Sequence, residues 1–231
     1  MLALRDIEEL ATERKRLFGV YPAEVTDIKD EDGQGRVKVR LPWSPDDEKG
    51  YEVWARVATL MAGKDRGSWF IPDPNDEVLV AFEGGDPRRP YVVGALWNGK
   101  DAPPQTMDQA GDNNVKVLVS RQNIRVTLDD TKGQETVTIE TPGGQVVTIK
   151  DGPSLVELKD STGHVVKLEQ GGITILAGAK LEIHATDTVI TGGTLKVNCP
   201  QATYSGDVTA TTLTTPSIKA GTYSPGIGNI W

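Results

Sequence analysis

A short alternating unit repeats through the second half of this 231-residue chain. Apolar residues recur there at spacings of 11, 10, 9, 10, 7, 8, 7 and 7, and most of them close a triplet in which two apolar residues flank a polar one. These anchors are Leu128, Ile139, Ile149, Leu158, Leu168, Ile175, Ile183, Ile190 and Val197. Period-two alternation predicts short strands, and turn residues separate them. The regular period predicts a repeating architecture whose units bury their apolar face only against neighbours.

The repeat predicts an oligomer. A narrow ribbon of short strands would leave a thin apolar stripe in water, and such a ribbon is marginally stable alone. Chains that face inward would bury the stripe, and each Val, Ile or Leu would contribute roughly 1.5 to 3 kcal/mol. The shorter spacings after Leu168 predict tighter turns and a narrower or differently wound repeat. The predicted core residues are Leu128, Ile139, Ile149, Leu158, Leu168, Ile175 and Ile183, with Thr, Lys and Glu facing solvent.

The first 100 residues can build a core of their own, because they hold ten of the thirteen aromatic residues. Alternating runs separated by turn residues predict strands at 21–29, 36–41, 54–58, 67–71, 77–82 and 90–96. Five to six strands in about 80 residues, with no helix predicted among them, predict a small closed or partly open barrel. Gly84–Pro87 predicts a tight turn rather than a phosphate-binding loop, because a strand and not a helix follows it.

Two segments flank the predicted barrel. Residues 3–17 place Leu4, Ile7 and Leu10 at roughly helical spacing and predict a short amphipathic helix. A helix this short is marginal alone, so it packs either on its own domain or on a partner. Residues 101–114 contain three acidic residues, two prolines and no basic residue, a composition typical of a linker.

Four segments of the first half carry a specific resemblance. Gly35–Trp43, Trp54–Ala58, Gly67–Pro72 and above all Asp76–Gly94 closely resemble the OB-fold domain shared by phage baseplate assembly protein V and the VgrG spikes of type VI secretion. The resemblance covers roughly residues 18–100. It implies a mainly β chain with a short N-terminal helix, an OB-fold barrel and then an intertwined trimeric β-helix needle.

The resemblance also implies domain boundaries and a function. The expected domains are a hub-docking helix at 1–17 that uses Leu4, Ile7 and Leu10, an OB-fold collar at 18–100, a linker at 101–114 and a needle at 115–222. The implied function is the structural central spike of a contractile phage tail or phage-tail-like injection system. Such a homotrimer joins the baseplate hub to a tip and punctures the target cell envelope. It would be assembled in the bacterial host cytoplasm and reside in the tail baseplate of the virion or particle.

The last residues, 223–231, end in apolar side chains, where a terminus is ordinarily polar. In related machines a conical PAAR-repeat protein forms a tip on the blunt end of the needle. The resemblance therefore implies that a PAAR-like tip protein docks here, or alternatively that these residues fold back and plug the needle. The residues concerned are Tyr223, Ile227, Ile230 and Trp231.

Residues suited to catalysis or metal binding are few. The chain has two histidines, His164 and His184, and a single cysteine, Cys199. Adjacent carboxylates such as Asp129 and Asp130 lie in turn-like stretches rather than in a concave site. We therefore predict no enzymatic activity, no cofactor and no metal. A net charge of −8 disfavours nucleic-acid binding. The alternative of a trimeric tail fibre or carbohydrate-binding depolymerase is disfavoured, because the repeat has almost no aromatic residues.

Overall fold

The computed structural model describes residues 16–43 and 50–222, in which fourteen strands make the chain mainly β. No helix within these ranges is long and apolar enough to cross a membrane. The strands of the first half are β1 Val20–Asp27, β2 Val37–Leu41, β3 Tyr51–Val57, β4 Ala62–Gly63, β5 Arg66–Gly67, β6 Glu77–Phe82 and β7 Pro90–Ala95. Those of the second half are β8 Val115–Val119, β9 Arg125–Asp129, β10 Thr136–Glu140, β11 Val146–Lys150, β12 Leu155–Lys159, β13 Val165–Glu169 and β14 Gly172–Leu176.

Five strands close into a barrel in the order β1-β2-β3-β7-β6, which confirms the predicted OB-like barrel. Strands β3 and β7 pair in parallel, whereas the other neighbours are antiparallel. Alternation places one side of each strand inside, as in β2, where Val37, Val39 and Leu41 are buried and the two residues between them are not. The barrel core consists of Ala23, Val25, Val37, Val39, Leu41, Ala55, Val78, Val80, Phe82 and Val92.

The predicted strand at 67–71 is wrong. Only its first residue lies in a strand, the two-residue β5, which pairs with β4. The Ser68 amide donates to the Met61 carbonyl at 2.9 Å and closes this small hairpin. Beyond it, the Trp69 ring lies so close to Gly35 that a Cβ there would approach it to 3.0 Å. The alternation at 67–71 therefore belongs to a loop, in which side chains such as Trp69 make individual contacts, and not to a strand with paired neighbours.

The turn between β6 and β7 has the predicted chemistry. Gly84 and Gly85 have φ of +57° and +79°, a conformation that glycine adopts without steric cost. Arg88 donates from its backbone amide and guanidinium to Asp86, and these bonds lower the pKa of the carboxyl group to about 2. Pro90 then opens β7, where the first position of a strand tolerates proline.

The seven strands β8 to β14 form one antiparallel sheet in which each strand pairs with the next along the chain. The shorter spacing after Leu168 coincides with a shorter turn: residues 170–171 join β13 to β14, whereas residues 160–164 join β12 to β13. Within the described residues no strand follows β14, so the predicted strand 181–183 is not formed within the chain.

Residues 181–222 are the described part of a second structural unit, 181–231. Every residue from 178 to 222 is exposed, Ile183, Ile190 and Val197 among them.

Candidate assembly surface

The strand register of the second sheet places alternate residues on one common face. In the cross-strand pairs, Leu118 lies opposite Val126, and the same alignment continues from strand to strand. The face contains fourteen positions in two columns, and thirteen of them are Val, Leu or Ile. One column is Leu118, Val126, Ile139, Val147, Leu158, Val166 and Ile175, and the other is Lys116, Leu128, Val137, Ile149, Val156, Leu168 and Ile173.

This surface, called the apolar face below, is open to solvent in the single chain. Ile139, Ile149 and Leu158 are 43%, 48% and 48% exposed. At the β14 end Ile173 and Ile175 reach 71% and 57%. A contiguous exposed patch of this kind is typical of a protein interface.

The opposite face of the sheet is mainly polar from β9 to β13. Its central column places Thr127, Thr138, Thr148, Glu157 and Lys167 opposite one another in turn. Ion pairs support this face: Arg125 Nε lies 3.6 Å from Glu140 Oε1, and Lys167 Nζ lies 2.7 Å from Glu169 Oε2. The sheet therefore has one face suited to water and one suited to burial.

The six predicted core residues from Leu128 to Ile175 all lie on the apolar face. Ile183 lies beyond the sheet and is 71% exposed. The predicted core residues are the last residues of their triplets, and the first residue of each triplet on β9 to β14 lies on the same face. The triplets Val126–Leu128 and Val137–Ile139 already contained that signal, since residues two apart on a strand point the same way.

Strand β8 and the charged residue on it were missed by the sequence reasoning. Lys116 is the only charged residue at the fourteen positions of the apolar face. Its ammonium group donates to the Asn113 carbonyl at 2.7 Å and to Asp130 Oδ2 at 2.6 Å. Asp130 follows the end of β9, two residues after Leu128, so its carboxylate reaches the same face.

The β1–β2 turn is held by one carboxylate. Asp30 accepts hydrogen bonds from the backbone amides of Asp32, Gln34 and Arg36, and also from the Arg36 guanidinium. The Arg36 side-chain bonds, reinforced by these amides, hold the pKa of Asp30 well below its usual range. The side chain of Asp30 is only 5% exposed, so this carboxylate has a structural role in the barrel.

The two histidines occupy different settings. His164 Nδ1 accepts a hydrogen bond from the Gly178 amide at 2.9 Å, which links the turn before β13 to the chain beyond β14. His184 is exposed, with Nε2 4.0 Å from Glu182 Oε2. In residues 16–43 and 50–222 no group of three or more His, Cys, Asp and Glu side chains is arranged to hold a metal ion.

Several predicted contacts lie outside the described residues. These are the predicted N-terminal helix up to residue 15, with Leu4, Ile7 and Leu10, and the predicted tip contacts Tyr223, Ile227, Ile230 and Trp231.

Both halves of the chain match known protein families. Residues 21–97 match the type VI secretion system/phage-baseplate injector OB domain, and residues 136–209 match the phage baseplate V C-terminal trimerisation domain. The second match includes β10 to β14, which contribute ten of the fourteen positions of the apolar face.

Curated relatives agree with these matches. The type VI secretion system spike protein VgrG1a of Pseudomonas aeruginosa is 31% identical over 141 residues, which cover 58% of this chain and 21% of the relative. The spike protein VgrG3 of Vibrio cholerae is 30% identical over 135 residues, covering 54% and 12%. The actin cross-linking toxin VgrG1 of Vibrio cholerae is 29% identical over 111 residues, covering 46% and 10%. The matched part of this chain thus spans about a fifth or less of each of these relatives.

Proposed function

The chain belongs to the family of phage baseplate V and VgrG spike proteins, and from that premise we propose that it is the structural central spike of a contractile phage tail or phage-tail-like injection system. It acts as a homotrimer. The barrel, within residues 18–100, forms a collar, residues 101–114 form the linker, and residues 115–222 form the needle. Sheath contraction drives the tube, and the needle concentrates the force on the target envelope.

The apolar face is the observation that carries this proposal. Thirteen aliphatic side chains lie on it. Full burial of such a side chain contributes roughly 1.5 to 3 kcal/mol, and many of these are about half exposed in the single chain. Assembly would therefore gain on the order of 10 kcal/mol or more per chain, before the cost of association is subtracted.

The number of chains comes from the family. The trimerisation domain matched by residues 136–209 favours three sheets around one axis over two sheets packed face to face. A dimer would bury the same face, so the two assemblies differ in mass and not in the residues buried. Seven strands spaced by about 4.8 Å make an apolar column on the order of 30 Å long.

Residues 185–222 give a second line of support. Among the described residues they form no strand, and all of them are exposed, although the trimerisation match extends to residue 209. Backbone amides and carbonyls that lack chain partners pair readily with another chain. We infer that these residues pair between protomers and continue the needle as an intertwined β-helix.

The two ends of the chain are assigned to partners. Leu4, Ile7 and Leu10 dock the spike on the baseplate hub, and Tyr223, Ile227, Ile230 and Trp231 dock a PAAR-like tip protein. The particle is assembled in the bacterial cytoplasm and the spike resides in its baseplate. Removal of Ile230 and Trp231 is expected to release the tip; full tip occupancy on the truncated needle would contradict this contact and favour a plug.

The proposed role is mechanical rather than enzymatic. The VgrG1a and VgrG3 relatives are spike proteins by name, and the toxin VgrG1 is matched over only 10% of its length. A tail fibre or depolymerase is not favoured by these matches.

The oligomeric state tests the proposal most directly. Multi-angle light scattering of the full chain is expected to give three times the chain mass of 24.9 kDa. A twofold mass would support face-to-face packing of two sheets, and a monomer would overturn the spike assignment.

A particle experiment tests the location of the chain. An epitope inserted between Gly143 and Gly144, in the exposed β10–β11 turn, can be labelled in purified particles. Electron microscopy is expected to show the label at the baseplate end of the tube. Label on lateral fibres would favour the fibre alternative, and an insertion in the exposed turn at Gly163 provides a matched second position.

A further inference from the structure

Lys116 and Asp130 are an unusual pair for their position. They lie at the β8 end of the apolar face, at one end of a column that is otherwise aliphatic. The Lys116 side chain is 48% exposed and the Asp130 side chain 61% exposed in the single chain. The pair is therefore solvated in the single chain, and assembly through the apolar face would remove water from it.

The ammonium group already has its partners within its own chain. Lys116 Nζ bonds to Asp130 Oδ2 and to the Asn113 carbonyl, so a neighbouring apolar surface could cover the pair without leaving the charge unpaired. An ion pair that is hydrogen-bonded in this way can be desolvated, whereas breaking it inside an interface is strongly destabilising.

We propose that Lys116 and Asp130 form a polar layer at the collar end of the trimer interface, and that this layer fixes the register of the three chains. The inference rests on the proposed homotrimer. In the aligned trimer, three neutral pairs lie at the same level, at the open end of the apolar column. Any stagger along the axis moves at least one pair into the aliphatic interior, where its desolvation costs more. Inward-pointing charges on edge strands are a known means of excluding wrong strand pairings.

The location of the pair is tested by breaking it and then removing it. Asp130→Asn leaves Lys116 unpaired, and it is expected to shift the unfolding equilibrium of the full-length trimer about 100-fold or more per chain. The double variant Lys116→Met with Asp130→Asn leaves no charge on the face. Its unfolding equilibrium is expected to return to within about tenfold of the wild-type value, because replacement of a buried ion pair by uncharged groups is often neutral or stabilising. Guanidinium unfolding at fixed protein concentration measures both.

Glu169→Gln is the matched control, because it breaks the Lys167–Glu169 pair on the opposite, polar face of the same sheet. Loss of a solvent-exposed pair is expected to change the same equilibrium by no more than about fivefold per chain. If Asp130→Asn has as small an effect as Glu169→Gln, or if Lys116→Met does not rescue it, the pair lies outside the interface and the proposal is overturned. A wild-type chain that is monomeric would instead overturn the proposed function.

The register is tested with the double variant Lys116→Met with Asp130→Asn, because Lys116→Met alone would leave the Asp130 carboxylate unpaired in the interface. The wild-type trimer is expected to give one δ1-methyl NMR resonance for each isoleucine of the apolar face, as threefold symmetry requires. The variant is expected to remain trimeric by light scattering but to give multiple resonances for Ile139, Ile149, Ile173 and Ile175. A single set of resonances in the variant would show that the pair does not determine the register.

Discussion

Ile149→Asp is the substitution that most directly tests burial of the apolar face. Ile149 lies in β11 between Val137 and Val156 in the cross-strand register, and it is 48% exposed in the single chain. Assembly would bury the exposed half, so the loss of the isoleucine removes about 1 kcal/mol per chain. An unpaired carboxylate in the interface costs at least about 3 kcal/mol more. Three chains then lose about 12 kcal/mol, or more than 10⁸-fold in the trimer association constant.

The variant is therefore expected to be a monomer at micromolar concentration by sedimentation velocity, with the barrel still folded. Thr138→Asp is the matched control, because Thr138 lies on the polar face opposite Thr127 and Thr148 and has no charge directly across from it. This control is expected to remain trimeric, since substitution at a solvated strand position costs at most about 1 kcal/mol. A trimer that survives Ile149→Asp, or one that Thr138→Asp disrupts equally, would refute burial of the apolar face.

Three further predictions concern other parts of the chain. Because the pKa of Asp30 is lowered in the folded barrel, its ionised form stabilises the fold above the ordinary aspartate pKa, and this stability is lost as the pH falls through the folded pKa. Asp30→Asn should therefore lower the melting temperature at pH 7 and flatten the decline of the melting temperature below about pH 4. The control Glu31→Gln should have neither effect. Gly35→Ala forces a side chain into a positive φ and toward Trp69, and it should cost about 1 to 2 kcal/mol in urea unfolding followed by tryptophan fluorescence. Amides of residues 185–222 should be protected from hydrogen exchange in the trimer and unprotected in a dissociated variant, and equal protection in both would exclude pairing between chains.

The sequence predicted the barrel well because its strands form their hydrogen bonds within the chain. Alternation in Val37–Leu41 and the turn at Gly84–Gly85 each specify a local structure that agrees with the tertiary fold. The failure at 67–71 has the opposite cause, since contacts such as Trp69 on Gly35 depend on distant residues and override a weak period-two signal.

The second sheet shows a different limit. The triplets predicted which residues of one strand share a face, but which residues of neighbouring strands stand side by side depends on the register between strands, which a single triplet does not contain. Lys116 was missed for the same reason. Its strand has no anchor of the repeat, and only pairing with β9 brings it into line with Leu128.

The distribution of buried residues suggests how the molecule is stabilised. Every fully buried hydrophobic residue in the described ranges lies between Ala23 and Val92, that is, in the barrel. The sheet from Val115 to Leu176 has hydrogen bonds but no buried core of its own, and a two-sided solvated sheet gains little from packing. The barrel can therefore fold in each chain separately, whereas the stability of the sheet depends on protein concentration through assembly. In the proposed homotrimer, such a division would keep the sheet from becoming rigid until three chains have assembled.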